Sequence, residues 1–311
     1  MNKVDQYIEA ATRENTRRSY QSAVTHFEVT WGGFLPATAD SVGRYLADHA
    51  ETLSHSTLKQ RMAALAQWHI DQGFPDPTKS PLVKKVLKGI RELHPSQTHQ
   101  ARPLQLSQLK TVVAWLDNEI KTSKAREDRA SYLRSNRNKA LVLIGFWRAF
   151  RSDELCRLSI ENIQAHSSQG MTMFLPRTKG DRQSNGQNYK VPALEQLCPV
   201  NAYLDWIELL PPKEGPVFCG INRWGQLSNK PMHPNSVIPL LRSLLKRAAI
   251  SEPNRFTSHS LRRGFASWAT ANKWELKQLM EYVGWKDVKS AMRYIDFSVS
   301  LEHWKDVKVL E

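Results

Sequence analysis

Residues 162–193, NIQAHSSQGMTMFLPRTKGDRQSNGQNYKVPA, are the stretch of this chain whose hydrophobic pattern is typical of β-strands. Three short apolar segments, at 162–167, 171–177 and 187–193, are separated by SQG and by the polar loop TKGDRQSNG. Sequential strands joined by short polar turns pair with their neighbours in antiparallel fashion. The stretch therefore predicts one small antiparallel sheet in a chain whose other segments have a helical pattern.

On both sides of this sheet, apolar residues recur at the three- and four-residue spacing of amphipathic helices. The segments outside the N-terminal region that predict helices are 106–120, 131–150, 199–210, 233–250, 258–271, 274–284, 288–297 and 300–310. The first ninety residues have the same period; residues 15–29, for example, predict a helix with Asn15 or Thr16 as its N-cap. We therefore predict a mainly α protein.

A polar segment, HPSQTHQARP at residues 94–103, divides the chain. It has no periodic apolar residues and is framed by two prolines, which is typical of a linker between domains. We predict an N-terminal helical domain at 1–93 and a second, mostly helical domain at 104–311 that contains the sheet.

The charge of the chain indicates its partner. Lys and Arg number 44 against 30 Asp and Glu, a net charge of +14, and the sequence pI is about 9.7. Residues 1–100 hold 12 basic and 10 acidic residues, so most of the excess lies beyond them. A fold does not need such an excess, whereas binding to a polyanion benefits from it. Nucleic acid is the predicted partner, and a basic enzyme with another substrate is the alternative.

Several function classes lack their sequence signals. No apolar run approaches the roughly 20 residues that span a bilayer, and the N-terminus has no apolar stretch typical of a signal peptide, so we expect a cytoplasmic protein without a membrane partner. Cys156, Cys198 and Cys219 form no CxxC pair, and HExxH, GxxxxGK[ST] and GxGxxG motifs are absent. No acidic cluster typical of two-metal phosphoryl chemistry stands out. We therefore expect no metal and no nucleotide cofactor.

A phosphodiester-cleaving enzyme without metal ions must neutralise the developing charge with cationic side chains. His259 and Arg262 are three residues apart, so on a helix a proton-transfer group and a bidentate phosphate clamp would share one face. Arg151 follows an apolar run, and Glu154, one turn later, is suited to orienting it. Lys179 lies in the polar loop of the predicted sheet. Taken singly, each has an ordinary alternative: a solvated His–Arg pair, a surface ion pair or a solvated basic loop.

Four further residues have the right chemistry with less support. Tyr294 is a candidate nucleophile, with a core aromatic as the alternative. Arg148 lacks an acidic residue three positions later, and Arg263 points about 100° away from the face of Arg262 on a helix. Tyr282 has the pattern of a core residue. The last three receive no functional role.

The order and spacing of the candidates resemble the tyrosine recombinases, the phage-integrase superfamily of DNA breaking and rejoining enzymes. The matching features are R-S-D-E-L at 151–155, T-K-G at 178–180, H-S-L-R at 259–262, G-W at 284–285 and a tyrosine nine residues after the tryptophan. T-R-R-S-Y at 16–20 is similar to the family's core-binding domain, so the resemblance covers nearly the whole chain. It implies a core-binding (SAM-like) N-terminal domain and a catalytic domain, as in the simple two-domain members.

The resemblance also implies a role for each motif residue. Tyr294 would attack the scissile phosphate and form a 3′-phosphotyrosine, and Arg151 and Arg262 would clamp the non-bridging oxygens. Lys179 would be the general acid that protonates the 5′-oxygen leaving group. His259 would assist proton transfer at the nucleophile or the phosphate.

Three further positions follow from the same resemblance. Trp285 stands where many relatives have a second histidine; its indole N–H can donate a hydrogen bond to the phosphate but cannot transfer a proton. Glu154 would hold the Arg151 side chain in position without contacting the phosphate itself. Phe150 is a departure, because relatives usually have a small residue before the first arginine.

The assembly that the resemblance implies is a homotetramer on double-stranded DNA, with a dimer on each paired inverted-repeat site. In residues 298–311, Leu301, Trp304 and Val307 recur every three residues. This segment would be a C-terminal oligomerisation helix docked into the neighbouring protomer, and packing onto its own domain is the alternative. Two other functions stay open: a DNA-relaxing enzyme similar to type IB topoisomerases, and a non-catalytic DNA-binding protein on the same scaffold.

Overall fold

The computed structural model describes residues 3–95, 100–176, 185–211 and 214–294. The chain divides into two compact units, Met1–His99 and Gln100–Glu311, and the division falls within the segment predicted as a linker. In the described ranges helices dominate and the strands are short and antiparallel, so the predicted mainly α fold is confirmed. None of the described helices is both long enough and apolar enough to cross a membrane.

The described residues of the first unit form helices joined by turns and loops, with no strand among them. Its helices are α1 (Lys3–Ala11), α2 (Glu14–Thr25), α3 (Ala39–Asp48), α4 (His55–Asp71) and α5 (Pro81–Leu93), with a π-helical turn at His26–Thr30 and a 3₁₀ turn at Pro77–Lys79. Thr38, Ser54 and Ser80 begin α3, α4 and α5, because each side-chain oxygen accepts a first-turn N–H. The N-cap prediction for α2 is wrong: the helix begins at Glu14, so Asn15 and Thr16 lie inside it.

The core of the first unit consists of one apolar side chain or more from each of α3, α4 and α5 and from the turn after α2. Its fully buried members are Phe27, Val42, Tyr45, Leu46, Leu58, Leu65 and Val83. His69, at the end of the apolar stripe of α4, is also buried: Nε2 accepts the Ala37 N–H at 2.8 Å and Nδ1 lies 2.7 Å from the Leu65 carbonyl. It therefore joins α4 to the segment before α3.

The second unit is built around one buried helix. Its described helices are α6 (Leu106–Ala125), α7 (Arg129–Trp147), α8 (Ser152–Cys156), α9 (Pro199–Ile207), α10 (Val237–Arg247), α11 (His259–Ala271), α12 (Leu276–Val283) and α13 (Val288–Met292). Every residue of α7 from Ala140 to Trp147 is buried, and α6, α9 and α11 pack against this helix. A helix that is apolar on all sides lies inside a domain. The residues that follow α7 therefore start from a rigid position.

The predicted sheet is present. Strands β1 (Ile163–His166), β2 (Gly170–Leu175) and β3 (Gln187–Val191) are antiparallel in the order β1–β2–β3. Met173 on the central strand pairs with Ile163 on one side and Tyr189 on the other, and its side chain faces the core. Residues 177–184, which include Lys179, lie between β2 and β3 and outside the described ranges.

A second sheet was not predicted. Strands β4 (Cys219–Ile221) and β5 (Leu227–Pro231) form an antiparallel hairpin. β4 has only three residues, and the register shifts between Cys219 and Ile221. The alternation of apolar and polar residues that marks a strand has no room to develop over so few positions. The expectation of a single sheet was therefore wrong.

Candidate active site

The corner between α7 and α8 places Arg151. Ala149 turns the chain there with φ of 52°, a left-handed conformation that few residues other than glycine adopt. Arg151 directly precedes α8, and its backbone N–H donates to Oε2 of Glu154 at 2.8 Å. Its Nη1 donates to Oε1 of the same carboxylate at 2.7 Å. Glu154 therefore caps the helix and orients the guanidinium with one carboxylate.

Glu154 also contacts the second arginine of the predicted clamp. Nη1 of Arg262 lies 3.7 Å from Oε2 of Glu154 and donates a hydrogen bond of 2.7 Å to the Ala149 carbonyl. The sequence assigned this carboxylate to Arg151 alone. A buried negative charge between two guanidinium groups offsets their mutual repulsion. Glu154 thus allows both cations to stand close together before any anion binds.

Arg262 is the most deeply buried charged group at this site, with 1% of its surface exposed. Burial and the neighbouring charge of Arg151 lower its pKa to about 10, so the group is still protonated near neutral pH. Its Nε and Nη2, and Nε1 of Trp285, are buried without a hydrogen-bond partner among the described residues. An unpaired buried donor costs about 1–3 kcal/mol. Such donors next to each other are suited to binding an anion.

Tyr294 lies against these groups. Its hydroxyl oxygen is 3.0 Å from Nδ1 of His259, and its ring stacks on Trp285 with 5.3 Å between centroids and 27° between planes. Cζ of Arg262 is 5.4 Å from the Tyr294 ring centroid and 5.1 Å from that of Trp285. Gly284 makes this stacking possible, because it ends α12 in the left-handed region with φ of 78° and turns the chain into Trp285.

The structure therefore brings six of the seven predicted residues into one cluster. The cluster contains Arg151, Glu154, His259, Arg262, Trp285 and Tyr294. Lys179, the seventh, lies outside the described residues. In the described ranges no group of three or more His, Cys, Asp or Glu is arranged to hold a metal ion.

Sequence reasoning missed three contributors around this cluster. The Ala149 carbonyl accepts a hydrogen bond from Arg262, and a backbone acceptor leaves no signal in residue type. Arg148 and Arg263 received no role, yet both are buried next to the predicted residues. Their burial follows from the packing of α7 and α11 against other segments, which residue spacing along one helix does not show.

Two known proteins illustrate the likeness of this chain to others. The integrase/recombinase xerD homolog of Selenomonas ruminantium is 27% identical over 304 residues, which cover 94% of this chain and 85% of that protein. The XerH site-specific recombinase, in a post-cleavage complex with a palindromic difH substrate, has a TM-score of 0.64 at 17% identity over 93% of this chain and 79% of its own.

A third likeness extends over almost the full length of both chains. The Tn1549 transposon integrase, in complex with circular intermediate DNA, has a TM-score of 0.61 at 15% identity over 95% of this chain and 94% of its own. At these identities the structural likenesses show a common fold. The phage integrase family model matches residues 126–300, more than half of the chain. The chain therefore belongs to the phage integrase family, the tyrosine site-specific recombinases.

Proposed function

We propose that this protein is a site-specific DNA recombinase that cuts and rejoins DNA through a 3′-phosphotyrosine intermediate. The observation that carries the proposal is a set of buried N–H donors on Arg262 and Trp285, which have no hydrogen-bond partner in the part of the chain that the structure describes and which lie beside the ring of Tyr294. These donors need an acceptor, and the non-bridging oxygens of a phosphodiester are anionic acceptors. Without an anion, their burial would be an uncompensated cost.

In the proposed reaction, the hydroxyl oxygen of Tyr294 attacks the scissile phosphorus while the bond to the 5′-oxygen breaks. Arg151 and Arg262 bind the non-bridging oxygens, whose negative charge grows in the pentacoordinate transition state. Glu154 holds both guanidinium groups in place, so little reorganisation is needed when the phosphate arrives. The product is a 3′-phosphotyrosine and a free 5′-hydroxyl, and attack by a second 5′-hydroxyl reverses the step.

Two protons move in this step. His259, 3.0 Å from the Tyr294 hydroxyl, is placed to accept or share the proton that the nucleophile loses. Lys179 is the proposed general acid, which gives a proton to the departing 5′-oxygen. Trp285 donates a hydrogen bond to the phosphate through Nε1 and takes no part in proton transfer. Because transesterification conserves the phosphodiester bond, religation needs no nucleotide as an energy source.

The proposed substrate is duplex DNA with paired inverted-repeat sites. The net charge of +14 supports binding to a polyanion, and the XerH and Tn1549 proteins are recombinases or integrases in complex with DNA. We propose that residues 1–93 are the core-binding domain, that residues 104–311 are the catalytic domain, and that two protomers bind each site and four bring two sites together. Integration or excision of a mobile element and resolution of cointegrates or replicon dimers all use this reaction.

A trapping experiment tests the function. Duplexes selected from random sequence for binding to the full chain would be nicked so that a short strand diffuses away after cleavage, and the products run on a denaturing gel. We expect a covalent adduct at one position, mapped by peptide analysis to Tyr294. The control is Tyr203→Phe on α9, which should still form the adduct, because the Tyr203 hydroxyl has no hydrogen-bond partner among the described residues. Absence of any adduct would indicate a DNA-binding protein, and adducts with little site preference a topoisomerase-like enzyme.

A further inference from the structure

Arg263 follows Arg262 on α11 and leaves the helix in another direction. It is 5% exposed, and its Nη1 donates to the carbonyl of Arg293 at 2.8 Å and to Oε1 of Gln100. Neighbouring residues of an α-helix point about 100° apart. Arg262 faces the Tyr294 ring, whereas Arg263 reaches the main chain of the residue before Tyr294. One turn of α11 therefore contacts both the side chain of the proposed nucleophile and the main chain of the residue before it.

The carbonyl that Arg263 binds belongs to the peptide bond joining Arg293 to Tyr294. The N–H of the same peptide bond donates to the Ala291 carbonyl at 2.9 Å. Both polar groups of this peptide unit are therefore hydrogen-bonded, one to α13 and the other to a charged donor. A peptide held at both groups has little freedom to rotate, and hydrogen bonds from a charged donor are stronger than those between neutral groups. This fixes the point from which the Tyr294 side chain starts.

Gln100 connects this peptide to the segment that enters the second unit. Residues 100–104 run beside the start of α11: the Arg102 N–H donates to the Arg255 carbonyl at 3.2 Å, and the Leu104 N–H donates to the Ser260 carbonyl at 3.0 Å. The bond from Arg263 to Gln100 is a further contact of this segment with the same region. The Gln100 side chain and the carbonyl of Arg293 thus accept hydrogen bonds from the same atom, Nη1 of Arg263.

We propose that Arg263 is a positioning residue for Tyr294 and that Gln100 couples the segment entering the second unit to that position. Arg263 does not touch the phosphate in this scheme; it acts through the Arg293 carbonyl. In-line attack is sensitive to small displacements, because a misplacement of about 1 Å costs on the order of 100-fold in rate. The effect on cleavage rests on the proposed function, whereas the fixed position of Tyr294 can be measured without DNA.

The first measurement is fluorine NMR of 3-fluorotyrosine incorporated at position 294 in the full chain. We expect one narrow signal for the parent protein, a broadened or split signal for Arg263→Met, and an intermediate result for Gln100→Ala, which alters an exposed side chain and leaves the core intact. The matched control is Arg137→Met. Arg137 is also a buried arginine that donates to a carbonyl, that of Cys219 at 2.9 Å, but it lies on α7 away from Tyr294.

The second measurement is the single-turnover rate of adduct formation on the trapping duplex, with the half-site Kd measured in parallel. We expect Arg263→Met to lower the rate about 10- to 100-fold with Kd within three-fold, Gln100→Ala to lower it about three- to ten-fold, and Arg263→Lys, which keeps a charged donor, to recover part of the loss. A displaced nucleophile is not corrected by a better leaving group, so a 5′-phosphorothiolate should not restore Arg263→Met.

The outcomes separate this inference from the proposed function. An unchanged fluorine signal together with a rate no lower than that of Arg137→Met would overturn the positioning role and leave a purely structural one. Restoration of Arg263→Met by the phosphorothiolate would also overturn it. A disturbed signal in a protein whose parent form makes no adduct on any duplex would uphold the positioning of Tyr294 and refute the recombinase function.

Discussion

Arg148 contacts both the main chain and the aromatic ring of Tyr282. Nη2 of Arg148 donates to the Tyr282 carbonyl, and its Cζ lies 4.1 Å from the Tyr282 ring centroid. The Tyr282 hydroxyl in turn donates to the carbonyl of Trp147, the residue before Arg148, at 2.8 Å. The end of α7 is thereby fixed to the end of α12. The first leads to Arg151 and the second to Trp285, so this pair sets the distance between two parts of the candidate site.

Arg148→Met should destabilise the second unit. The methionine fills a similar volume but removes the hydrogen bonds to the carbonyls of Tyr282 and Lys190, and a hydrogen bond from a charged donor contributes about 1.5–3 kcal/mol. Removal of a desolvated charge offsets part of this, because burial lowers the pKa of Arg148 and no carboxylate pairs with it among the described residues. We expect a net loss of about 2 kcal/mol, or roughly 4–8 °C in Tm. Equal midpoints of thermal unfolding for the Arg148→Met variant and the parent protein would contradict this prediction.

Tyr294→Phe should abolish covalent adduct formation and leave DNA binding within a few-fold. Only the hydroxyl is lost, whereas the ring can still stack on Trp285 and the arginine clamp is unchanged. A denaturing gel gives the adduct and a mobility-shift titration gives the affinity. An adduct that persists in this variant would mean that another residue is the nucleophile.

Lys179→Ala should slow cleavage strongly, and a 5′-phosphorothiolate at the scissile bond should largely restore the rate. A thiolate leaves without needing a proton, so the general acid becomes dispensable. Arg262→Ala serves as the control, since loss of a charge-stabilising group is not repaired by a better leaving group. Equal responses of the two variants would show that Lys179 is not the acid.

Gly264→Ala should destabilise the protein although alanine is the better helix former. A Cβ at Gly264 would lie 2.1 Å from the Leu104 carbonyl oxygen and 2.9 Å from the Phe146 ring, so the backbone segment beside α11 would have to move. We expect a loss of about 1–3 kcal/mol. Gly89→Ala, on α5 with nothing within 4 Å of the added methyl, should instead gain about 1 kcal/mol. The midpoints of thermal unfolding should shift in opposite directions.

Deletion of residues 300–311 should separate binding from assembly. Their apolar residues predict a helix too short to be stable alone, which we propose to dock into a neighbouring protomer. The segment lies outside the described residues. We expect half-site binding by one protomer to change little, cooperative dimer and tetramer formation to weaken, and recombination to be lost; Trp304→Ala should be milder. A truncated protein that is unfolded, or that assembles as cooperatively as the full chain, would refute this exchange.

The sequence by itself determined the class of fold and the identity of the motif residues. The spacing of apolar residues changes from helical to strand-like over residues 162–193, so a small sheet among helices was predictable. Arg151, His259, Arg262 and Tyr294 could be predicted as site residues because motif order and spacing are properties of the chain. The hairpin β4–β5 was missed because β4 has only three residues and β5 is exposed at four of its five positions, so neither strand alternates between apolar and polar residues.

Only the tertiary structure decided how these residues act on one another. Glu154 serves two arginines, the Ala149 carbonyl serves Arg262, and Arg148 and Arg263 bind main-chain carbonyls of α12 and of the residue before Tyr294. Arg151 and Glu154 are three residues apart, but the partners in the other contacts are separated by 30 to 134 residues along the chain. A hydrogen bond to a distant backbone atom depends on how helices pack and on no residue type, so nothing in the sequence marks it in advance.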